Sequence, residues 1–139
     1  MGFASDSDIL RIRLQTEWGI LHPDMPISWE NVAFTPPHGQ WVRFTIKNGT
    51  QERQSISDTE SASFKTIGSV IVEVFTLAGL GTGAGDELVD DVSNIFRGFY
   101  QDSIRCRAPA VTFSGKNGKY WKNIVHIPFV SYESHGVNI

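Results

Sequence analysis

The chain has 139 residues and a formal charge of -3. That length suits one domain spanning residues 1–139, burying roughly two-thirds of its unfolded surface. An aromatic share of 12% argues against disorder, the acidic balance argues against a dedicated nucleic-acid binder, and a single cysteine excludes an internal disulfide or a Cys-rich zinc site.

No apolar run approaches the ~20 residues needed to span a bilayer, so no membrane partner is expected. Residues 1–8 carry acids and no basic side chain, unlike a signal peptide, and an intracellular compartment is the default. No internal repeat of fixed period is present.

Ser5-Asp6-Ser7-Asp8 offers helix N-caps ahead of an apolar run. Leu10, Leu14, Trp18 and Leu21 then form the stripe of a first helix, about Asp8 to Leu21, with Ile12 on the opposite side. Pro23 and Pro26 end it and force extended geometry. Ile27 to Asn31 reads as a short strand, and Pro36-Pro37-His38-Gly39 as a rigid corner. From Trp41 to Lys47 the pattern alternates, with Val42, Phe44 and Ile46 on one face and Arg43, Thr45 and Lys47 on the other. Asn48-Gly49 begins a turn. Residues 50–65 are dominated by Gln, Glu, Ser, Asp and Thr, and read as a mobile loop or hairpin tip projecting from two antiparallel strands.

Val70 to Phe75 is a branched apolar run, the signature of a buried strand. Gly79-Leu80-Gly81-Thr82-Gly83-Ala84-Gly85 follows, and then Asp86 to Phe99, with Leu88, Val92, Ile95, Phe96 and Phe99 on one helical face. Gly98 is a C-cap candidate. Ile104 to Val111 predicts a strand with Ile104, Cys106 and Ala108 inward and Arg105 and Arg107 outward, ended by Pro109. Ser114 to Lys119 reads as a turn. Tyr120 to Val130 is a final strand that Pro128 brings to a close, and residues 131–139 read as a frayed tail. The fold class is therefore α+β: a mainly antiparallel sheet with two main helices packed on one face.

The glycine stretch is the first place to look for chemistry. Gly79, Gly81 and Ala84 have dinucleotide-fingerprint spacing between a strand and a helix. Asp86, Glu87, Asp90 and Asp91 crowd the same helix end, however, and would repel a phosphate. No Lys-Ser or Lys-Thr pair completes a P-loop. The bland reading is a flexible connection that lets the helix fold back on the sheet. The four acids do not have calcium-loop spacing, and carboxylates in a first turn already favour the helix dipole. Four exceed what one helix end requires, so some are candidates to meet a basic partner surface, with Arg105 and Arg107 as the candidate cations across a subunit boundary. Cys106 between two arginines would be activated if exposed, but its alternation with Ile104 makes it a small core residue. His22, His38, His126 and His135 have no metal-pair spacing, and neither a Gly-x-Ser-x-Gly elbow nor a His-Glu-x-x-His motif occurs. Trp41 and Arg43 share a sheet face, but Trp121 and Lys122 do not, so a base-stacking platform is discontinuous. No catalytic residue, cofactor site or metal site is nominated.

Taken together, several stretches resemble the tail terminator-like (minor tail) proteins of tailed bacteriophages and prophages. They are His22-Pro23-Asp24 with Pro26 to Asn31, Phe34-Thr35-Pro36-Pro37, Trp41 to Phe44, Val72 to Phe75, Gly81 to Asp86, Ile95 to Gly98 and Ile104 to Pro109. The resemblance covers roughly His22 to Glu133 and is similar in kind to the lambda-type tail terminator. It implies an α+β subunit without enzymatic activity that assembles into a ring, hexameric by that resemblance, caps the finished tail tube, ends its polymerisation and offers the head a joining surface. The implied partners are copies of itself, the tail tube protein and head–tail connector proteins, with no specific nucleic acid. The implied location is the virion tail, after assembly in the bacterial host cytoplasm. The alternatives are a small nucleotide-binding protein built on Gly79 to Gly85 and a nucleic-acid-binding module.

Overall fold

The structure is a computed structural model that describes residues 3–56 and 61–136. Its elements run α1 (Phe3–Leu21), β1 (Ile27–Ser28), β2 (Trp41–Ile56), β3 (Ser61–Leu77), α2 (Gly83–Phe96), β4 (Tyr100–Gln101), β5 (Ile104–Cys106), β6 (Ala110–Asn117) and β7 (Tyr120–Gly136). The strands form one sheet in the order β1-β2-β3-β7-β5-β4, with β6 also paired to β7. Every pairing is antiparallel except the short β1–β2 contact. This is the α+β architecture expected from the residue pattern.

The register explains the core. Phe44, Val72 and Val125 stand in one row across β2, β3 and β7, and Ile46, Val70 and Ile127 in the next. Alternation places these side chains on one sheet face, and both helices close over it. Leu10, Leu14 and Trp18 from α1, and Leu88, Val92, Ile95 and Phe96 from α2, join the same dry cluster. A spacing of three or four residues is what lets each helix bury one stripe. Gly85 sets how closely α2 approaches: a Cβ there would lie 2.8 Å from Asn123 Nδ2. Gly98, at φ 68°, reverses the chain after α2, while the Arg97 amide donates to Ser93 O at 2.8 Å.

The structure moves several predicted boundaries. The first helix begins before Asp8, so Ser5 to Asp8 lie inside it rather than capping it, and Asp6 is buried. Its buried stripe ends at Trp18, and Leu21 is exposed. The short strand is only Ile27–Ser28, because Asn31 turns the chain at φ 55°. The second helix starts at Gly83, three residues before Asp86, and stops at Phe96, short of Phe99. Ile104 to Val111 is two strands, not one: Pro109 separates β5 from β6, and Ala108 is exposed rather than inward. Strand β6 runs on through a bulge at Gly115 to Asn117, so the Ser114–Lys119 turn shrinks to its last two residues.

In two segments the strands reach further than the residue pattern indicates. Residues 50–65 are not an irregular loop, since β2 stays paired to β3 as far as Ile56↔Ala62. Residues 57–60 lie outside the described residues. Residues 131–139 are not a frayed tail up to Gly136, where β7 still pairs with Ser61. Residues 137–139 lie outside the described residues. Pro128 does not end the strand, for a backbone reason. Its carbonyl accepts from the Arg107 amide at 2.8 Å. In an antiparallel strand the nitrogen of the same residue points the same way. That side is where β7 passes from pairing with β6 to pairing with β5, so the missing donor breaks no strand ladder.

Candidate assembly surfaces

The predicted interface residues come from three separate places. Asp86, Glu87 and Asp90 are exposed on α2, and Asp86 alone stands in its first turn. Asp91 is half-buried and meets His22 Nε2 at 2.7 Å, tying α2 to the end of α1. It is therefore occupied within the chain. Arg105 lies over the Tyr100 ring, 5.1 Å from its centroid, and its guanidinium donates to Asp102 O and Ile104 O. Arg107 is exposed beyond β5. Among the described residues no ion pair joins either arginine to an acid, so both cations face outward. Arg97 follows α2 as its C-cap and donates to Asn94 Oδ1 at 2.8 Å.

The glycine loop is built for packing. Gly79 and Gly81 take φ 89° and 82°, left-handed values that glycine adopts without strain. Gly85 admits the sheet against the helix. Strand β4, which follows α2, is two residues long and pairs antiparallel with β5. A dinucleotide fingerprint needs a parallel β-α-β unit, and this loop does not belong to one.

Cys106 is buried, and desolvation pushes its thiol up to about 12, against the weaker opposing effect of Arg13. A thiol in that state is neither a nucleophile nor a metal ligand near neutral pH. Among the described residues no three His, Cys, Asp or Glu side chains lie close enough to share a metal ion. Nor is any described helix long and apolar enough to cross a membrane. One groove, about 490 Å³, is lined by His22, Pro23, Asp24, Met25, Pro26 and Pro37 among others, and His22 and Asp24 are its ionisable groups.

The helix-free face of the sheet carries features that the residue pattern only half revealed. Trp41 stacks on Phe75 at 4.0 Å and 7°, and Tyr120 meets both edge-on. The loop before β2 covers this cluster, since Phe34 packs on Trp41 and the Tyr120 hydroxyl donates to Pro37 O. Next to it Glu73 sits between Lys122 at 3.1 Å and Arg43 at 3.7 Å. Alternation showed Arg43 pointing outward with Trp41. Nothing local could reveal that Lys122, from a strand late in the chain, would arrive beside the same carboxylate.

The sheet also leaves two edges open. Among the described strands, β2 has a partner on its outer side only at Val42 and Arg43, where β1 pairs with it. On the far side β6 has no strand beyond it. Val111 and Phe113 are exposed on β6, Phe113 at 65%. Unpaired edges with apolar side chains are a liability for a subunit that stays alone.

Ten solved chains match this one. One, which carries no functional description, superposes with a TM-score of 0.61 at 16% identity, over 90% of this chain and 94% of that one. No curated protein matches. The family model described as phage tail terminator protein matches residues 7–129.

Proposed function

The chain belongs to the phage tail terminator family, and from that premise we propose that it caps the tail tube as a ring of its own copies. In that role it ends tail polymerisation and presents the surface to which the head is joined. The family match over residues 7–129 is the observation that carries the reading, and it makes the chain a phage tail structural protein. The sheet's two open edges support the ring: they lie on opposite sides of the subunit, and heterologous contacts between unlike surfaces close into rings when the rotation allows. A six-membered ring, the tube protein below it and connector proteins above it complete the proposal. Assembly takes place in the host cytoplasm, before the virion is complete.

The exposed cations Arg105 and Arg107 and the exposed acids Asp86, Glu87 and Asp90 are proposed contact residues. Charges at the rim of an interface set the rate and register of docking more than its affinity. Asp91 contributes by holding α2 through His22.

Purified protein mixed with tail tubes and viewed by negative stain tests the reading. Rings at tube ends, with a native mass of several subunits, are expected. Bare tube ends and a monomer mass at every concentration would refute it.

A further inference from the structure

We propose that neighbouring copies dock head to tail, with Phe113 of one subunit seated in a groove beside the β2 edge of the next. The inference rests on the ring reading above and names its subunit contact. The groove, about 340 Å³, is lined by Arg11 and Gln15 of α1 and by Trp29, Glu30 and Val32 of the turn after β1. It opens on the helix side of the sheet, because the Trp29 ring packs on Phe44, 5.4 Å between centroids. Val32 on its rim is 59% exposed.

The knob lies at the opposite edge but on the same face. Phe113 is in register with Asn123, which pairs with Val74, which pairs with Val42. Val111 shares that row parity through Val125, Val72 and Phe44. Past the bulge at Gly115, Lys116 is in register with Trp121, again on the helix side, and is exposed. One edge therefore presents an aromatic ring and a cation; the other presents a groove with Trp29 and Val32 as its apolar walls, a carboxylate, Glu30, and a cation, Arg11, that is already paired with Asp8 at 2.8 Å. The strand directions agree as well. Strands β2, β3, β7 and β6 alternate across the sheet, so β6 of one copy placed beside β2 of the next is again antiparallel, with helix face continuing helix face. A self-complementary two-fold contact would need knob and groove on one surface, whereas here they occupy opposite edges. The occupant that matches groove, charge and strand direction together is a second copy of this chain.

Two substitutions at exposed positions test this without touching the core: Phe113→Asp removes the knob and Val32→Asp blocks the groove. Each alone should raise the concentration for half-assembly by about tenfold or more, as expected for an aromatic anchor, with an unchanged melting temperature. Mixed in equal amounts, the two variants should form a one-to-one dimer by native mass, because one retains the knob and the other the groove. A mixture that stays monomeric overturns the head-to-tail geometry. Rings that persist in both single variants overturn this inference and leave the ring reading standing. Wild-type protein that forms no ring overturns both.

Discussion

On one side of the sheet, Val42, Phe44, Val70, Val72, Val125 and Ile127 are all fully buried under two helices. On the other side, the same strands carry a three-ring cluster at one end, under the loop that holds Phe34 and Pro37, and beside it a carboxylate held between two cations. The first face is continuous and dry, and its contribution scales with the apolar area removed from water. The second is patchwork, with an apolar island and charged groups still partly wet, and its ion pairs contribute little each. The difference teaches that the fold is fixed from the helix side, which leaves the other face and the edges free to vary with partners.

Breaking the helix side should have the largest effect. Trp18→Ala or Phe129→Ala should cost about 3–5 kcal/mol in chemical denaturation, since each empties a fully buried site. A loss below 1 kcal/mol would remove the contrast between the faces. Gly68→Ala is expected to cost about 1–3 kcal/mol. Its Cβ would come within 2.6 Å of the Phe129 ring and 2.8 Å of Lys47 O, and a backbone oxygen cannot rotate away.

On the other face, Glu73→Gln should cost about 1 kcal/mol or less, and the loss should shrink as salt is added. A large, salt-independent loss would show that this face contributes to the fold as the first does. Double charge reversal, Arg105→Glu with Arg107→Glu, should shift the melting temperature least and weaken ring formation more than it weakens the fold. An equal loss of both would place these side chains in the fold rather than at a contact.

Cys106 gives the comparison a pH axis. Its folded pKa is raised above that of the unfolded thiol by burial. Its contribution is therefore complete below the unfolded pKa, near 9, and is lost as pH rises from there toward about 12. Cys106→Ala should flatten the alkaline end of the stability profile. Thiol reagents at pH 8 should label the wild-type chain only after denaturant is added.

Much of the helix side was legible in the residues. The run from Val70 to Phe75, the spacing of Leu10, Leu14, Trp18 and Leu21, and the alternation from Trp41 to Lys47 each encode burial on one face, and the residues of that face are buried there except that Leu21 is exposed and Ile46 half-buried. What stayed hidden depends on distant partners. The polar strands beyond Asn48 have no hydrophobic period, and they are strands because β3 lies between β2 and β7. Pro128 resembles a terminator unless one knows that its nitrogen faces the gap between β5 and β6. Asp91 resembles a helix-end charge until His22, far away in sequence, is placed beside it. For the proposed contacts, Arg105 and Arg107 were visible from alternation. Phe113 was not, because it falls just before a glycine-rich stretch that reads as a turn.

The position of β7 has a consequence for the order of events during synthesis. It follows every other described strand in the chain, yet it lies at the middle of the sheet, paired along its whole length with β3. While the ribosome adds about 5–20 residues per second, the β2–β3 hairpin and both helices emerge before the strand that covers the second edge of β3 has been made. Closure waits for Tyr120 onward, a long-range step of the kind that slows folding. The β6 edge is not in place before then, because the partner of β6 is β7. A nascent chain therefore cannot offer its Phe113 edge to a neighbour early, and that half of the proposed contact is separated in time from the start of synthesis.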